Sequence, residues 1–212
     1  MKSPFAEKER VALIQAILPD VALDGWSRAA LRRAARRIGV PAGEALALFP
    51  GGAADLVAGF SRWADQRMLD RLDGAALGGL RVSERIALAI GIRLESVAPW
   101  REAVRAALAV LALPINVSLG LRLLYETVDA IWYAAGDSAT DFSFYTKRMS
   151  LAAIWAATVL YWLEDRSEDF VDTRGFLARR LGDMARIGQA RRGLETAVSA
   201  LPNPFRLLRP LR

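Results

Sequence analysis

Apolar residues recur at spacings of three and four along nearly the whole chain, and strict alternation of apolar and polar residues is absent. This periodicity predicts helices and no strand system. Helix-breaking residues divide the pattern, notably Pro19, Gly39, Pro50, Pro99 and Pro202. The predicted helices lie near residues 5–18, 27–38, 42–48, 52–72, 82–97, 100–112, 115–135, 142–164, 172–188 and 193–200. The sequence therefore predicts an all-α fold.

The helices have no repeat or low-complexity linker between them. The simplest organisation is a three-helix head over residues 1–50, an all-helical body over 51–200 and a short basic, apolar tail over 201–212. The 53% hydrophobic content is high, and two uncharged runs, 106–121 and 149–163, carry much of it. Each run is shorter than the roughly 20 residues that span a bilayer. We expect buried helices, which either form a packed core or line an apolar cavity.

The order and spacing of helices in the head resemble the helix-turn-helix end of TetR-type regulators. The second helix of such a motif enters the major groove and needs hydrogen-bonding side chains to read bases. Residues 42–48 offer only small or apolar side chains and Glu44. The preceding helix carries cations suited to phosphate contacts, which hold no sequence information: Arg28, Arg32, Arg33, Arg36 and Arg37. We interpret the head as a scaffold that does not read DNA, and we expect no specific nucleic-acid partner.

The 212 residues include no cysteine and no histidine. Thiol nucleophiles, Ser-His-Asp catalysis and most zinc or iron sites are therefore excluded. An acidic cluster is interpreted as a solvated loop that caps the following helix: Glu164, Asp165, Glu168, Asp169 and Asp172. An acid/base pair of Asp137 and Asp141 has no other catalytic partner type available. The sequence thus predicts a protein that is not an enzyme and has neither a metal nor a cofactor.

The net charge of +6 is unevenly distributed. Residues 1–40 hold eight bases and four acids, residues 126–172 hold three and nine, and residues 173–212 hold nine and two. A basic C-terminal segment attached to an acidic middle favours an anionic partner for that segment, either membrane lipid or nucleic acid.

The most informative segment is WYAAGDSATDFSFYTKR, residues 132–148, where aromatic and charged side chains surround a turn signal at Gly136. This run resembles the signature of the family of the ninth coenzyme Q biosynthesis protein. The resemblance covers about residues 10–192 and is densest over 113–188, where it includes LPIN at 113–116 and LAAI at 151–154. From the pattern alone, the same aromatics equally fit a packed helix corner.

The resemblance implies a TetR-like, all-α homodimer that acts as a lipid-binding accessory protein of ubiquinone biosynthesis. Such a protein holds an isoprenoid or quinone-type lipid and presents it to a membrane-associated hydroxylase. The alternative function is a TetR-type transcriptional regulator with a hydrophobic ligand. The implied location is cytoplasmic and peripheral to a bacterial inner membrane, or the organellar matrix side in a eukaryote.

The resemblance also implies two sets of contact residues. Those expected to contact the lipid are Leu113, Leu151, Ile154, Trp155 and Leu160. Those expected to contact the hydroxylase are Ile131, Trp132, Asp141, Phe144, Tyr145 and Arg148. The family usually has Trp where this chain has Phe144, which keeps an apolar anchor but lacks the indole donor.

Three prolines prevent a long regular helix in the tail, although apolar side chains still alternate with arginines there. This arrangement matches a shallow interfacial membrane anchor, and a tail without a role is the alternative. The membrane-contact residues would be Phe205, Arg206, Leu207, Leu208 and Arg209.

Overall fold

A computed structural model of the chain describes residues 4–75, 77–136 and 142–199. These residues form helices and no strand, as the apolar spacing predicts. The α-helices are α1 (Pro4–Asp24), α2 (Arg28–Arg37), α3 (Ala42–Leu48), α4 (Ala53–Asp73), α5 (Val82–Val97), α6 (Arg101–Leu111), α7 (Val117–Ala134), α8 (Phe142–Glu164) and α9 (Val171–Ser199). Short 3₁₀ turns cover Ala98–Trp100, Pro114–Asn116 and Glu168–Phe170.

Two helices are longer than the sequence predicts. Helix α1 continues through Pro19 to Asp24, because the burial of Leu18 and Val21 offsets the hydrogen bond that a proline removes. Helix α9 is continuous where we predicted a break between 188 and 193. Gly193 lies inside it, since a glycine in a helix costs only about 1 kcal/mol relative to alanine.

The first three helices pack around a dense apolar core. Leu13 and Ile17 of α1, Leu31 of α2 and Phe49 after α3 are fully buried. The hydroxyl of Ser27 accepts a hydrogen bond from the backbone N–H of Ala30 at 3.1 Å, which fixes the start of α2.

The first three helices contact the following ones closely. The indole N–H of Trp26 donates to the backbone oxygen of Ala103 in α6 at 3.0 Å. A Cβ at Gly59 would lie 3.1 Å from the Ile14 side chain, so this glycine lets α4 approach α1. One continuous set of buried apolar side chains runs from α1 to α9. The division into head, body and tail stays a prediction.

The corner between α6 and α7 is apolar and exposed. Ile115 in its 3₁₀ turn is 86% exposed, and Leu113, Val117 and Leu121 beside it are also exposed. Among the described residues, no single helix is long and apolar enough to cross a membrane. Segments Val82–Leu111 and Pro114–Ala134 meet the length and composition criteria only as a pair, with a 95° bend between them.

Candidate ligand-binding site

Helices α4 to α8 enclose an apolar cavity of about 360 Å³. Small residues line part of the wall at Ala107, Gly120 and Ala156, and large side chains line it at Phe60 and Trp162. The other lining residues are Val57, Ser61, Arg93, Leu94, Val97, Val104, Leu108, Leu111, Ala112, Leu123, Leu124, Thr127, Trp155, Val159 and Leu160. This size falls within the range of small-molecule sites, which measure about 300–1,000 Å³.

The mouth of the cavity lies between the α6–α7 corner and α8. Ala112, Ala156 and Leu160 line the cavity and are also exposed to solvent. A Cβ at Gly120 would lie 3.6 Å from the Leu111 Cβ, so α7 runs close to the end of α6 here. The mouth therefore adjoins the exposed apolar corner around Ile115.

A polar corner interrupts the apolar wall. The Arg93 Nε donates to Asp65 Oδ1 at 2.7 Å, and the Thr127 hydroxyl donates to Asp65 Oδ2 at 2.9 Å. Arg93 also donates to the backbone oxygen of Ser61 at 3.3 Å and lies over the Trp155 ring. We name Ser61, Asp65, Arg93 and Thr127 the polar corner. It joins α4, α5 and α7 inside an otherwise apolar site.

Sequence reasoning missed the polar corner, although a signal was present. Arg93 lies three residues after Ile90 and four before Val97, both buried, so helical spacing places it on the apolar face of α5. Asp65 lies three residues before Met68 and seven before Leu72 on α4, both buried, so it is on the apolar face of that helix. A charged residue on a buried face needs a partner, and the two carry opposite charge.

The five predicted lipid-contact residues occupy different environments. Trp155 and Leu160 line the cavity. Leu151 is fully buried and Ile154 half-buried in α8, and neither is part of the cavity wall. Leu113 is exposed at the α6–α7 corner, near the mouth. The cavity wall extends over α4 to α7, which the sequence did not indicate.

The predicted partner surface lies at the end of α7 and the start of α8. Ile131 and Trp132 are buried, and the neighbouring Tyr133 is 79% exposed. Arg148 is buried and donates from Nε to Asp129 Oδ1 at 2.8 Å, while the Lys147 ammonium lies 5.6 Å from the centre of the Trp132 ring. Asp137, Asp141 and the side chains of Phe144 and Tyr145 lie outside the described residues, as do the tail positions Phe205, Arg206, Leu207, Leu208 and Arg209.

The acidic cluster after α8 caps the next helix as predicted, but its capping residue Asp165 is buried and not solvated. Asp165 is buried and accepts hydrogen bonds from the backbone N–H groups of Ser167 at 2.8 Å and Thr173 at 2.9 Å. Burial raises the pKa of Asp165, but the hydrogen bonds from Ser167 and Thr173 outweigh it and hold the pKa at about 2. Within the described ranges, no three acidic side chains are grouped so that they could hold a metal ion.

The head presents few groups for reading DNA. The exposed residues of α3 are Gly43, Glu44 and Ala47. Two arginines of α2 are engaged within the head, because Arg33 pairs with Asp24 and Arg37 pairs with Asp20. Base-reading donors are therefore absent from the described exposed face of α3.

Comparison with known proteins shows which family this chain resembles. Residues 117–188 match the COQ9 family. The chain is 31% identical over 196 residues to the human mitochondrial ubiquinone biosynthesis protein COQ9, a match that covers 89% of this chain and 61% of the human one. It is 33% identical over 189 residues to the Xenopus tropicalis protein of the same name, covering 86% and 59%. The chain thus spans about three fifths of the length of these curated relatives.

The fold has a solved counterpart. A crystal structure of a TetR transcriptional regulator from Nitrosomonas europaea superposes with a TM-score of 0.68 at 25% identity. The match covers 84% of this chain and 98% of the regulator. The predicted resemblance to the COQ9 family and the predicted TetR-like fold are both confirmed.

Proposed function

We propose, from its relationship to the COQ9 family, that this chain is a non-enzymatic, lipid-binding accessory protein of ubiquinone biosynthesis. It holds part of an isoprenoid or quinone-type lipid in the cavity between α4 and α8 and presents it to a membrane-associated hydroxylase. The observation that carries the proposal is the apolar cavity of about 360 Å³. Most of the residues matched to the family lie in α7, α8 and α9, and the first two of these form part of its wall.

Occupancy of the cavity is tested with a pair of alanines on α6. Ala107 lines the cavity, whereas Ala109 is exposed on the same helix. Ala107→Phe fills space that the lipid needs, so native mass spectrometry should show loss of co-purified lipid. Ala109→Phe should leave the lipid content unchanged. Equal lipid content in the parent and both variants would contradict a role for this cavity.

Membrane contact is supported by the exposed apolar corner beside the mouth. Residues 106–121 are uncharged, and the corner presents Leu113, Ile115 and Leu121 to solvent. A hydrocarbon ligand resides in the bilayer, so a mouth that rests on the membrane spares it a passage through water. We propose this corner as a membrane contact in addition to the tail residues 205–209, whether at a bacterial inner membrane or in an organellar matrix.

The membrane contact is tested by co-sedimentation with neutral phospholipid vesicles. Ile115→Asp should weaken binding several-fold, because an ionised carboxylate resists insertion. Leu23→Asp is the matched control, since Leu23 is 91% exposed at the far end of α1. A loss of binding in the control alone would refute the assignment of the corner.

The hydroxylase contact is proposed at the α7–α8 corner, as the family resemblance implies. The exposed ring of Tyr133 supports an interface there, and the buried Ile131 and Trp132 would shape the surface from beneath. Asp141→Lys and Phe144→Ala should reduce capture of the hydroxylase in a pull-down while the melting temperature stays close to that of the parent. Unfolding of both variants would mean that these residues belong to the core. We also propose a homodimer, which sedimentation analysis tests.

The TetR-like fold makes a transcriptional regulator the second candidate function. The exposed face of α3, with its carboxylate at Glu44, disfavours it. We expect only weak, salt-sensitive duplex binding, with a Kd of about 10⁻⁴–10⁻⁶ M. Selection from random oligonucleotides that returned a defined palindrome at physiological salt would favour the regulator instead.

A further inference from the structure

The polar corner is an unusual element in the wall of a lipid cavity. Arg93 is only 6% exposed, and its side chain lines the cavity together with Ser61 and Thr127. An ion pair in an apolar interior loses hydration, so it contributes little stability compared with apolar residues of the same size. Its presence in this wall therefore calls for a reason besides stability.

In the polar corner, the acceptors of Asp65 are occupied, whereas some donors of Arg93 are not. Both carboxylate oxygens of Asp65 already accept, one from Arg93 and one from Thr127. A guanidinium has five N–H donors. Within the described part of the chain, Arg93 uses donors from two of its nitrogens, toward Asp65 and Ser61. The corner thus has hydrogen-bond donors to spare and little accepting capacity at Asp65.

We infer that the corner recognises the head of the bound lipid. A neutral head with a carbonyl or hydroxyl oxygen accepts a hydrogen bond from Arg93, and the hydrocarbon tail runs toward the mouth at Ala112 and Leu160. Arg93 is already paired with Asp65, so the polar corner has no net charge. An anionic or a cationic head would lose its hydration in the apolar cavity without gaining an unpaired counter-charge, so both are disfavoured. This inference rests on the proposed lipid-binding function and adds the class and orientation of the ligand.

The alternative is that the corner only joins α4, α5 and α7. A purely structural pair would affect folding but would not distinguish one ligand head from another. The decisive measurement is therefore head-group preference in the unmodified protein, with stability recorded separately.

The test uses four probes with ten-carbon chains: 2-decanone, decanoate, decylammonium and 1-decene. Binding is followed by tryptophan fluorescence, since Trp155 and Trp162 line the cavity. We expect 2-decanone to bind about tenfold more tightly than each of the other three, the effect of one hydrogen bond to a charged donor. Equal binding of 2-decanone and 1-decene, or tightest binding of either ion, would overturn the inference.

Two double variants test whether the polar corner causes the preference for 2-decanone. Asp65→Leu combined with Arg93→Met removes both charges together and should abolish the tenfold preference for 2-decanone. The matched control is Arg71→Met with Glu95→Leu, which removes an exposed pair between the same two helices. The control should keep the preference for 2-decanone. Loss of the preference in the control would contradict the assignment, and so would a preference that remains in the first double variant.

A milder variant covers the case in which the first double variant fails to fold. Thr127→Val preserves the shape of the side chain and leaves Oδ2 of Asp65 without its donor. Oδ2 of Asp65 can then accept a hydrogen bond from a ligand, so the affinity for decylammonium should rise several-fold relative to that for 2-decanone. An unchanged ratio would count against the inference. Binding of all four probes with equal affinity would reject only the head recognition, whereas binding of none would reject the proposed lipid-binding function as well.

Discussion

The first three helices and the helices around the cavity differ in how they use small residues. In α2, Ala30, Ala34 and Ala35 are completely buried and let α1 pack closely against this helix. Around the cavity, Ala107, Gly120 and Ala156 line empty space. The same residue types therefore allow close helix contact in one region and leave a void in the other.

The region around the cavity has side-chain hydrogen bonds to the end of a helix. Arg101 donates to the backbone oxygen of Asp165 at 2.9 Å, and Arg105 donates to that of Leu163 at 3.0 Å. Both acceptors lie at or just after the end of α8, where helix carbonyls lack partners within the helix. We infer that these polar contacts at the helix ends help to stabilise the region around the cavity.

The largest expected difference between the two regions follows from inserting the same ring into each. Ala34→Phe places a phenyl ring where no space exists, and we expect the free energy of unfolding to fall by about 3 kcal/mol. Ala107→Phe points a ring into the cavity and should cost about 1 kcal/mol or less. Chemical denaturation of both variants measures the contrast. Equal destabilisation would mean that the cavity wall is as tightly packed as the head.

The contribution of the polar contacts is tested at Asp165. Asp165→Asn removes the charge from a buried group that accepts from Ser167 and Thr173, and we expect a loss of about 2 kcal/mol. Urea unfolding at neutral pH measures it. A change below about 0.5 kcal/mol would show that the cap does not hold α8 to α9.

The same residue makes stability depend on pH. The pKa of Asp165 is lowered from 3.8 to about 2 by folding, so the folded state binds the proton less readily than the unfolded state. Its contribution is therefore complete above pH 3.8 and is lost as the pH falls toward 2. The parent should lose more stability over this range than Asp165→Asn. Parallel curves for the two proteins would contradict the lowered pKa.

The smallest effect is expected at an exposed ion pair. Arg62 of α4 and Glu126 of α7 join at 2.8 Å on the exposed side of the helices that carry the polar corner. Glu126→Gln should cost about 0.2–1 kcal/mol, because solvent already screens the pair. A loss above 2 kcal/mol would show that surface charges, and not the buried contacts, hold the hollow region together.

Most helices could be predicted from the sequence because helix periodicity and breaking residues are local signals. Helix α8 has the predicted bounds, 142–164. The predicted end of α1 before Pro19 was wrong, because the burial of Val21 depends on contacts that are distant in sequence. The void was not predictable either, because buried alanines have the same pattern whether their neighbours close around them, as at Ala34, or do not, as at Ala107.

The size of the cavity sets a limit on the proposed lipid binding. A cavity of about 360 Å³ has the volume of about a dozen water molecules at about 30 Å³ each, which is too small for a whole long isoprenoid chain. Moving the remaining carbons into water would cost about 0.8 kcal/mol for each CH₂ group. The energy is lower if the remaining carbons stay in the bilayer while the mouth of the cavity rests against the membrane surface. Under the proposed function, this chain would lift one end of a lipid out of the membrane and would not ferry the whole molecule through solution.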